Sequence, residues 1–128
     1  MPGKVLIIDD DRAIAAGLAV RLKAAGYAVF SASDGESGLA AAESNRPDVI
    51  LLDIHMPGID GFEVNRRLKG APELADIPVI FLSANVQDWA KRKAFDMGAK
   101  FYLSKPYAPE GLISAIETAI SGARCPGR

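Results

Sequence analysis

The chain of 128 residues is long enough for one domain with a buried core, and its 49% apolar and 24% charged residues are typical of a globular protein. A formal net charge of -1 gives no general attraction to nucleic acid or anionic membranes, and no stretch is long and apolar enough to cross a bilayer. The single cysteine, Cys125, excludes a disulfide framework and a cysteine metal site. A strand signal follows Met1–Lys4 at once and leaves no room for a signal peptide, so we expect a cytoplasmic protein that binds neither membrane nor nucleic acid directly.

Strand and helix signals alternate along the chain. The predicted strands are Val5–Asp9, Tyr27–Ala32, Val49–Asp53, Val79–Leu82 and Phe101–Ser104. The predicted helices run from Asp11 to Ala25, from Ser33 to about Asn45, from Asp60 to about Lys69, from Asn85 to Gly98, and from Pro109 to about Ser121. Five strands alternating with five helices indicate an α/β fold of one domain, with a doubly wound parallel sheet.

Capping signals mark several of these helix starts. Ser33, Asp60 and Asn85 are predicted N-caps, each with an acidic residue three positions later. The pair Ser33 and Glu36 also fits a capping box, and Asp11 is predicted to cap the first helix.

Carboxylates follow two of the apolar strands directly. Asp9 and Asp10 end the first strand, and Asp53 ends the third. Parallel strands bring their carboxyl ends to one edge of the sheet, where ligands bind in doubly wound folds. Like-charged groups gathered there need compensation, and carboxylate oxygens are ligands that Mg²⁺ prefers. The sequence therefore predicts a Mg²⁺ site at this edge.

A hydroxyl and a cation follow the last two strands. Ser83 could donate a hydrogen bond to a phosphoryl oxygen; alternatively it caps a helix, a role that Asn85 fills better. Lys105 could offset the acids and bind an anion, although a lone lysine is more often a solvated surface charge.

These residues lie in motifs that resemble those of the receiver domain of bacterial two-component response regulators. The matching segments are Ile8–Asp11, Leu52–Gly61, Leu82–Ala84 and Tyr102–Tyr107, and the resemblance covers about residues 4 to 121. It implies the (βα)5 flavodoxin-like receiver fold with strand order 2-1-3-4-5. Residues 1–121 would form this domain and 122–128 a flexible C-terminal tail.

The resemblance implies a role for each acid. Asp53 would accept a phosphoryl group from a sensor histidine kinase or a histidine phosphotransfer protein. Asp9, Asp10, Asp53 and the backbone carbonyl of His55 would hold Mg²⁺. The domain would be no enzyme in the usual sense, since it would catalyse only its own phosphorylation and dephosphorylation.

The resemblance also implies a conformational switch. Ser83 and Lys105 would bind the phosphoryl oxygens, and Tyr102 would turn inward when Ser83 moves toward the phosphoryl group. The bond between Lys105 and Pro106 would be cis. A downstream protein would bind the face formed by the fourth helix, fifth strand and fifth helix.

Aromatic residues also indicate that this face binds a partner. The core side of the fourth helix is predicted to carry Val86, Ala90, Ala94 and Met97. Phe95 is then exposed on the side of Tyr102 and Tyr107, which together predict a partner surface, and Trp89 is exposed on the other side.

Other functions fit the residues less well. A phosphatase with an aspartyl nucleophile needs a second acid two residues after Asp53, where His55 stands. A flavodoxin-like cofactor protein needs a hydroxyl- and glycine-rich phosphate loop, where the chain has three acids. A phosphorylation-independent receiver is disfavoured because each site position holds a compatible residue. The same module could instead be cut from a hybrid kinase or a multidomain regulator.

Overall fold

The computed structural model describes residues 3–83, 88–99, 101–104 and 108–123. Their elements are, in chain order, β1 (Lys4–Ile8), α1 (Arg12–Ala24), β2 (Ala28–Ala32), α2 (Gly35–Asn45), β3 (Val49–Asp53), α3 (Gly61–Gly70), β4 (Val79–Ser83), α4 (Asp88–Asp96), β5 (Phe101–Ser104) and α5 (Pro109–Ala123). The strands form one parallel sheet in the order β2-β1-β3-β4-β5. The doubly wound sheet and its strand order are therefore confirmed.

The central strands are buried on both faces, which explains their unbroken apolar runs. Every residue of β3 and of β4 is buried. In β3, Ile50 and Leu52 contribute to a core with α2, α3 and α4. Val49 and Leu51 contribute to a second core with α1 and α5. A strand that supplies two cores has no position for a polar residue until it ends.

The start of α2 differs from the prediction. Asp34 is the N-cap, and its carboxylate accepts a hydrogen bond of 2.7 Å from the backbone N–H of Ser37. That bond is the main reason why the pKa of Asp34 is lowered. The capping box of Ser33 with Glu36 was wrong, because Ser33 still belongs to the loop and the carboxylate one residue later is the stronger acceptor.

Two other predicted caps are confirmed. Asp11 accepts hydrogen bonds of 3.1 Å from the backbone N–H groups of Ala13 and Ile14 at the start of α1. Asp60 accepts one of 2.9 Å from the N–H of Glu63 at the start of α3. Both caps follow the carboxyl edge of the sheet, so they fix how the chain leaves it.

Some sequence predictions lie outside the described residues. These are the cap at Asn85, the core position of Val86, the roles of Lys105 and Tyr107, and the cis bond to Pro106. The predicted tail begins at 122, but Gly122 and Ala123 belong to α5. Of the helices described, none combines the length and the hydropathy needed to cross a membrane.

Candidate functional site

The sheet brings three carboxylates together at its carboxyl edge. Ile8 and Leu52 are paired in register on the neighbouring strands β1 and β3, so the next residues, Asp9 and Asp53, emerge side by side. Asp9 is 1% exposed and Asp53 is 5% exposed, whereas Asp10 is exposed to solvent. One carboxylate oxygen from each of the three lies within 4.8 Å of the other two. The predicted acidic cluster is therefore present.

Asp9 is held by the backbone on both sides. Its N–H donates to the carbonyl of Ala32 on β2 at 3.1 Å. Its Oδ1 accepts a hydrogen bond of 2.9 Å from the N–H of Asp11. The first contact holds the backbone of Asp9 against β2, and the second holds its carboxylate.

The oxygen set fits a divalent cation such as Mg²⁺. With metal–oxygen distances of about 2.1 Å, two ligand oxygens of an octahedral ion are about 3 to 4.2 Å apart. The limit of 4.8 Å found here requires only a small contraction. Carboxylate oxygens are hard ligands of the kind that Mg²⁺ prefers, and the exposed Asp10 places one of them on the solvent side of the cluster.

Ser83 lies next to this cluster. Leu82 on β4 is paired with Asp53, and Ser83 is the next residue and the end of the strand. It is fully buried and is paired with Ser104 on β5. A hydroxyl thus lies one residue beyond the register partner of Asp53, where the sequence placed it. Lys105 follows Ser104 and lies outside the described residues.

The loop after β3 returns to the sheet within a few residues. The side chain of His55 is exposed, and Met56 is buried. Gly58 has a φ of 80°, a conformation that glycine adopts without strain. The N–H of Gly61 then donates to the carbonyl of Ile54 at 2.8 Å and closes the loop. This short loop holds the start of α3 against the end of β3, the strand that carries Asp53.

The profile of the response regulator receiver domain matches residues 5–117 of this chain. The chain belongs to this family. Receiver domains are signalling domains of two-component systems, and the acids of the site stand at the strand ends that the sequence predicted.

Relatives and solved structures agree with the family. The receiver domain is similar to the DNA-binding dual master transcriptional regulator RpaA of Synechocystis, with 42% identity over 91% of this chain and 48% of RpaA. It is similar in structure to a putative response regulator from Chloroflexus aurantiacus, with a TM-score of 0.89, 35% identity, and coverage of 94% and 99% of the two chains. It is also similar in structure to the chemotaxis protein CheY4 of Vibrio cholerae, with a TM-score of 0.87, 32% identity, and coverage of 93% and 99% of the two chains. The chain spans about half the length of the curated relatives it matches.

The outer face of α4 carries the predicted exposed aromatics. Trp89 is 53% exposed and Phe95 is 43% exposed, whereas Ala90 and Ala94 are fully buried, as predicted. Phe95 lies in a shallow depression of about 310 Å³ between charged side chains of the same helix. Tyr102 on β5 is partly buried and packs against the core shared by α2, α3 and α4.

Some contacts that join α3 to α4 and to β4 were not predicted from the sequence. The ammonium group of Lys93 lies 4.4 Å from the centre of the Phe62 ring, and that ring lies 5.5 Å from the ring of Phe81 on β4. The side-chain amide of Asn65 donates to the carbonyl of Met97 at 3.0 Å. The helical spacing shows which of these residues face inward, but the partners are set by how the two helices lie on the sheet.

Charges on the exposed side of α3 form a local ion-pair group. Glu63 accepts hydrogen bonds from Arg66 and from Arg67, the latter at 2.9 Å. The bond from Arg66, followed by that from Arg67, lowers the pKa of Glu63 to about 2. This group lies on the solvent side of α3 and is not part of the carboxylate cluster.

Proposed function

We propose that Asp53 accepts a phosphoryl group from the phosphohistidine of a sensor kinase or a phosphotransfer protein, in a reaction that depends on Mg²⁺. One observation carries the proposal: the buried carboxylate of Asp53 has an oxygen within 4.8 Å of those of Asp9 and Asp10. A nucleophile among like charges suits a reaction in which a divalent cation and an incoming phosphoryl group meet at the same place.

The reaction forms one bond and breaks another. A carboxylate oxygen of Asp53 attacks phosphorus, the phosphorus–nitrogen bond of the donor breaks, and the imidazole nitrogen keeps the electron pair and takes up a proton. Mg²⁺, when bound, neutralises charge on the phosphoryl oxygens. Asp9 and Asp10 would hold the ion together with Asp53 and the backbone carbonyl of His55.

The last two strands supply the remaining groups. The hydroxyl of Ser83 donates a hydrogen bond to one phosphoryl oxygen, and the ammonium group of Lys105 binds another. The buried position of Ser83, one residue past the register partner of Asp53, supports its part of this assignment. The product is an aspartyl phosphate whose phosphoryl group carries close to two negative charges at pH 7. Because it replaces the single charge of the carboxylate, the site gains about one negative charge.

The phosphorylated site then changes the face formed by α4, β5 and α5. As Ser83 moves toward the phosphoryl group, the ring of Tyr102 enters the space it leaves, and α4 shifts with it. A downstream protein binds there, over Phe95, Tyr102 and Tyr107. Exposure of Phe95 and the partial burial of Tyr102 support this surface. RpaA is named as a DNA-binding regulator and is about twice as long, so the same module could also act within a longer regulator or a hybrid kinase.

The test is a mass measurement after incubation with acetyl phosphate and Mg²⁺. The wild-type chain should gain one phosphoryl group, and Asp53→Asn should gain none while keeping its circular dichroism spectrum. Asp76→Asn, which removes an exposed acid in the loop before β4, is the matched control and should react like the wild type. Equal mass gain in the wild type and in Asp53→Asn would refute the assignment.

A further inference from the structure

Gly61, the first residue of α3, lies against the backbone at the end of β3. Its N–H donates to the Ile54 carbonyl at 2.8 Å. A Cβ at this position would lie 2.8 Å from the Cα of Ile54 and 3.1 Å from the carbonyl carbon of Asp53, and closer still to the Asp53 carbonyl oxygen. These are all backbone atoms, which cannot rotate away as the end of a flexible side chain can. The start of α3 therefore rests on the peptide that joins Asp53 to Ile54.

The start of α3 is itself anchored from the other side. Asp60 caps the helix, and Phe62, the residue after Gly61, is 6% exposed with its ring centre 5.5 Å from that of Phe81. The ammonium group of Lys93 on α4 lies over the Phe62 ring, 4.4 Å from its centre. Because α3 is held in this way, a group inserted at position 61 displaces the Asp53 peptide as well as the helix.

We propose that Gly61 is a positioning residue for phosphoryl transfer to Asp53. The absence of a side chain at position 61 lets α3 approach the Asp53 peptide, and this contact fixes the direction of the Asp53 carboxylate toward those of Asp9 and Asp10. The inference rests on the proposed function of Asp53 as the phosphoacceptor. It adds a residue that touches neither the phosphoryl group nor the metal.

The expected effect of a methyl group follows from the distances. An ordinary contact needs about 3.4 Å, so the Cα of Ile54 must retreat by about 0.6 Å and the carbonyl oxygen of Asp53 by more. Asp53 carries the nucleophile, and a misplacement of about 1 Å in a reacting group can lower a rate by about 100-fold. We therefore expect Gly61→Ala to slow the phosphorylation of Asp53 by roughly 10- to 100-fold.

A second buried glycine provides the matched control. A Cβ on Gly38 in α2 would lie 2.6 to 2.9 Å from three side-chain carbons of Ile8, and these are its nearest neighbours outside its own helix backbone. Gly38→Ala therefore disturbs packing in the same core without pressing on the Asp53 peptide. Gly17 and Gly111 have nothing within 4 Å of an added Cβ, so alanine at these helical positions should raise stability.

The experiment compares rate with stability for the same set of proteins. The rate constant for phosphorylation by acetyl phosphate is measured by mass at saturating Mg²⁺, for the wild type, Gly61→Ala and Gly38→Ala. The Tm of each is measured in the same buffer, and the rates are taken at a temperature at which all are folded. Gly61→Ala should react roughly 10- to 100-fold more slowly than the wild type. Gly38→Ala should keep the wild-type rate to within about twofold, even if its Tm falls by as much as that of Gly61→Ala.

Three results would overturn the inference. The first is a folded Gly61→Ala that reacts at the wild-type rate, and the second is an equal loss of rate in Gly38→Ala. If Gly61→Ala does not fold, it is measured in a protein that also carries the stabilising replacements Gly17→Ala and Gly111→Ala. The third result is failure to fold in that background as well, which would show that Gly61 serves the fold alone. A wild-type chain that takes up no phosphoryl group would instead refute the proposed function itself.

Discussion

The replacement Asp53→Asn is expected to stabilise the domain in the absence of divalent metal. At the limiting separation of 4.8 Å, two unit charges repel by about 0.9 kcal/mol in a dielectric of about 80 and by about 3.5 kcal/mol in one of about 20. The repulsion between the exposed Asp10 and Asp53 should be close to the lower energy, and that between the buried Asp9 and Asp53 should be closer to the higher one.

Asparagine at position 53 removes two of the three repulsive pairs but also weakens hydrogen bonds to the former carboxylate. We expect a net gain of about 1 to 2 kcal/mol in the free energy of unfolding. For a chain of this length, roughly 4 °C in Tm corresponds to 1 kcal/mol, so Tm should rise by about 4 to 8 °C.

The assay is urea and thermal unfolding in a metal chelator, repeated with Mg²⁺. A ligand at 100 times its Kd stabilises the folded state by about 2.7 kcal/mol, and the wild type should gain more from Mg²⁺ than the variant that lacks one ligand. The advantage of Asp53→Asn should therefore shrink or reverse in Mg²⁺. The control Asp76→Asn removes one negative charge from an exposed loop and should show neither effect. A variant Asp53→Asn that is less stable than the wild type in chelator would refute the electrostatic reasoning.

The remaining predictions concern the metal, the switch and acid stability. Asp10→Asn should weaken Mg²⁺ binding measured by calorimetry or tryptophan fluorescence, and unchanged affinity would mean that the cluster only caps a helix. Beryllofluoride with Mg²⁺ should move the amide NMR signals around Phe95 and Tyr102 more than those of α1 and α2; the reverse order would disprove the proposed switch face. Hydrogen bonds from Arg66 and its neighbour lower the pKa of Glu63 to about 2, so their stabilising effect is full above about pH 4.5 and is lost as pH falls toward 2. Urea unfolding of Glu63→Gln over that range should lack this part of the acid dependence.

The fold could be predicted because its strands carry a strong local signal. A parallel strand buried on both faces must be apolar along its whole length, so Val49–Asp53 and Val79–Ser83 are visible as short apolar runs. Their ends are visible too, since Asp53 and Ser83 are the first polar residues. The acidic cluster then follows from one topological rule, that parallel strands end at the same edge.

Other features depend on contacts that no local pattern contains. The helix start at Asp34 rather than Ser33 was decided by one residue of loop geometry. The contact of Lys93 with Phe62 depends on how α3 and α4 lie on the sheet. In the sequence, Gly61 was visible only as the last residue of the matching segment Leu52–Gly61. Its importance appears when the backbone at the end of β3 is found within contact distance.

The site is placed where the fold can tolerate it. Four fully buried apolar residues of β3 precede Asp53, and burial of each such side chain contributes roughly 1.5 to 3 kcal/mol. That stabilisation exceeds the net cost of about 1 to 2 kcal/mol that the Asp53 carboxylate adds at the strand end once its hydrogen bonds are included. The carboxylates therefore remain close together although their repulsion opposes folding, and a cation bound between them would relieve that repulsion in the folded state. Because β3 supplies both the core and the proposed nucleophile, phosphorylation of Asp53 would act on a residue that is anchored in the central sheet.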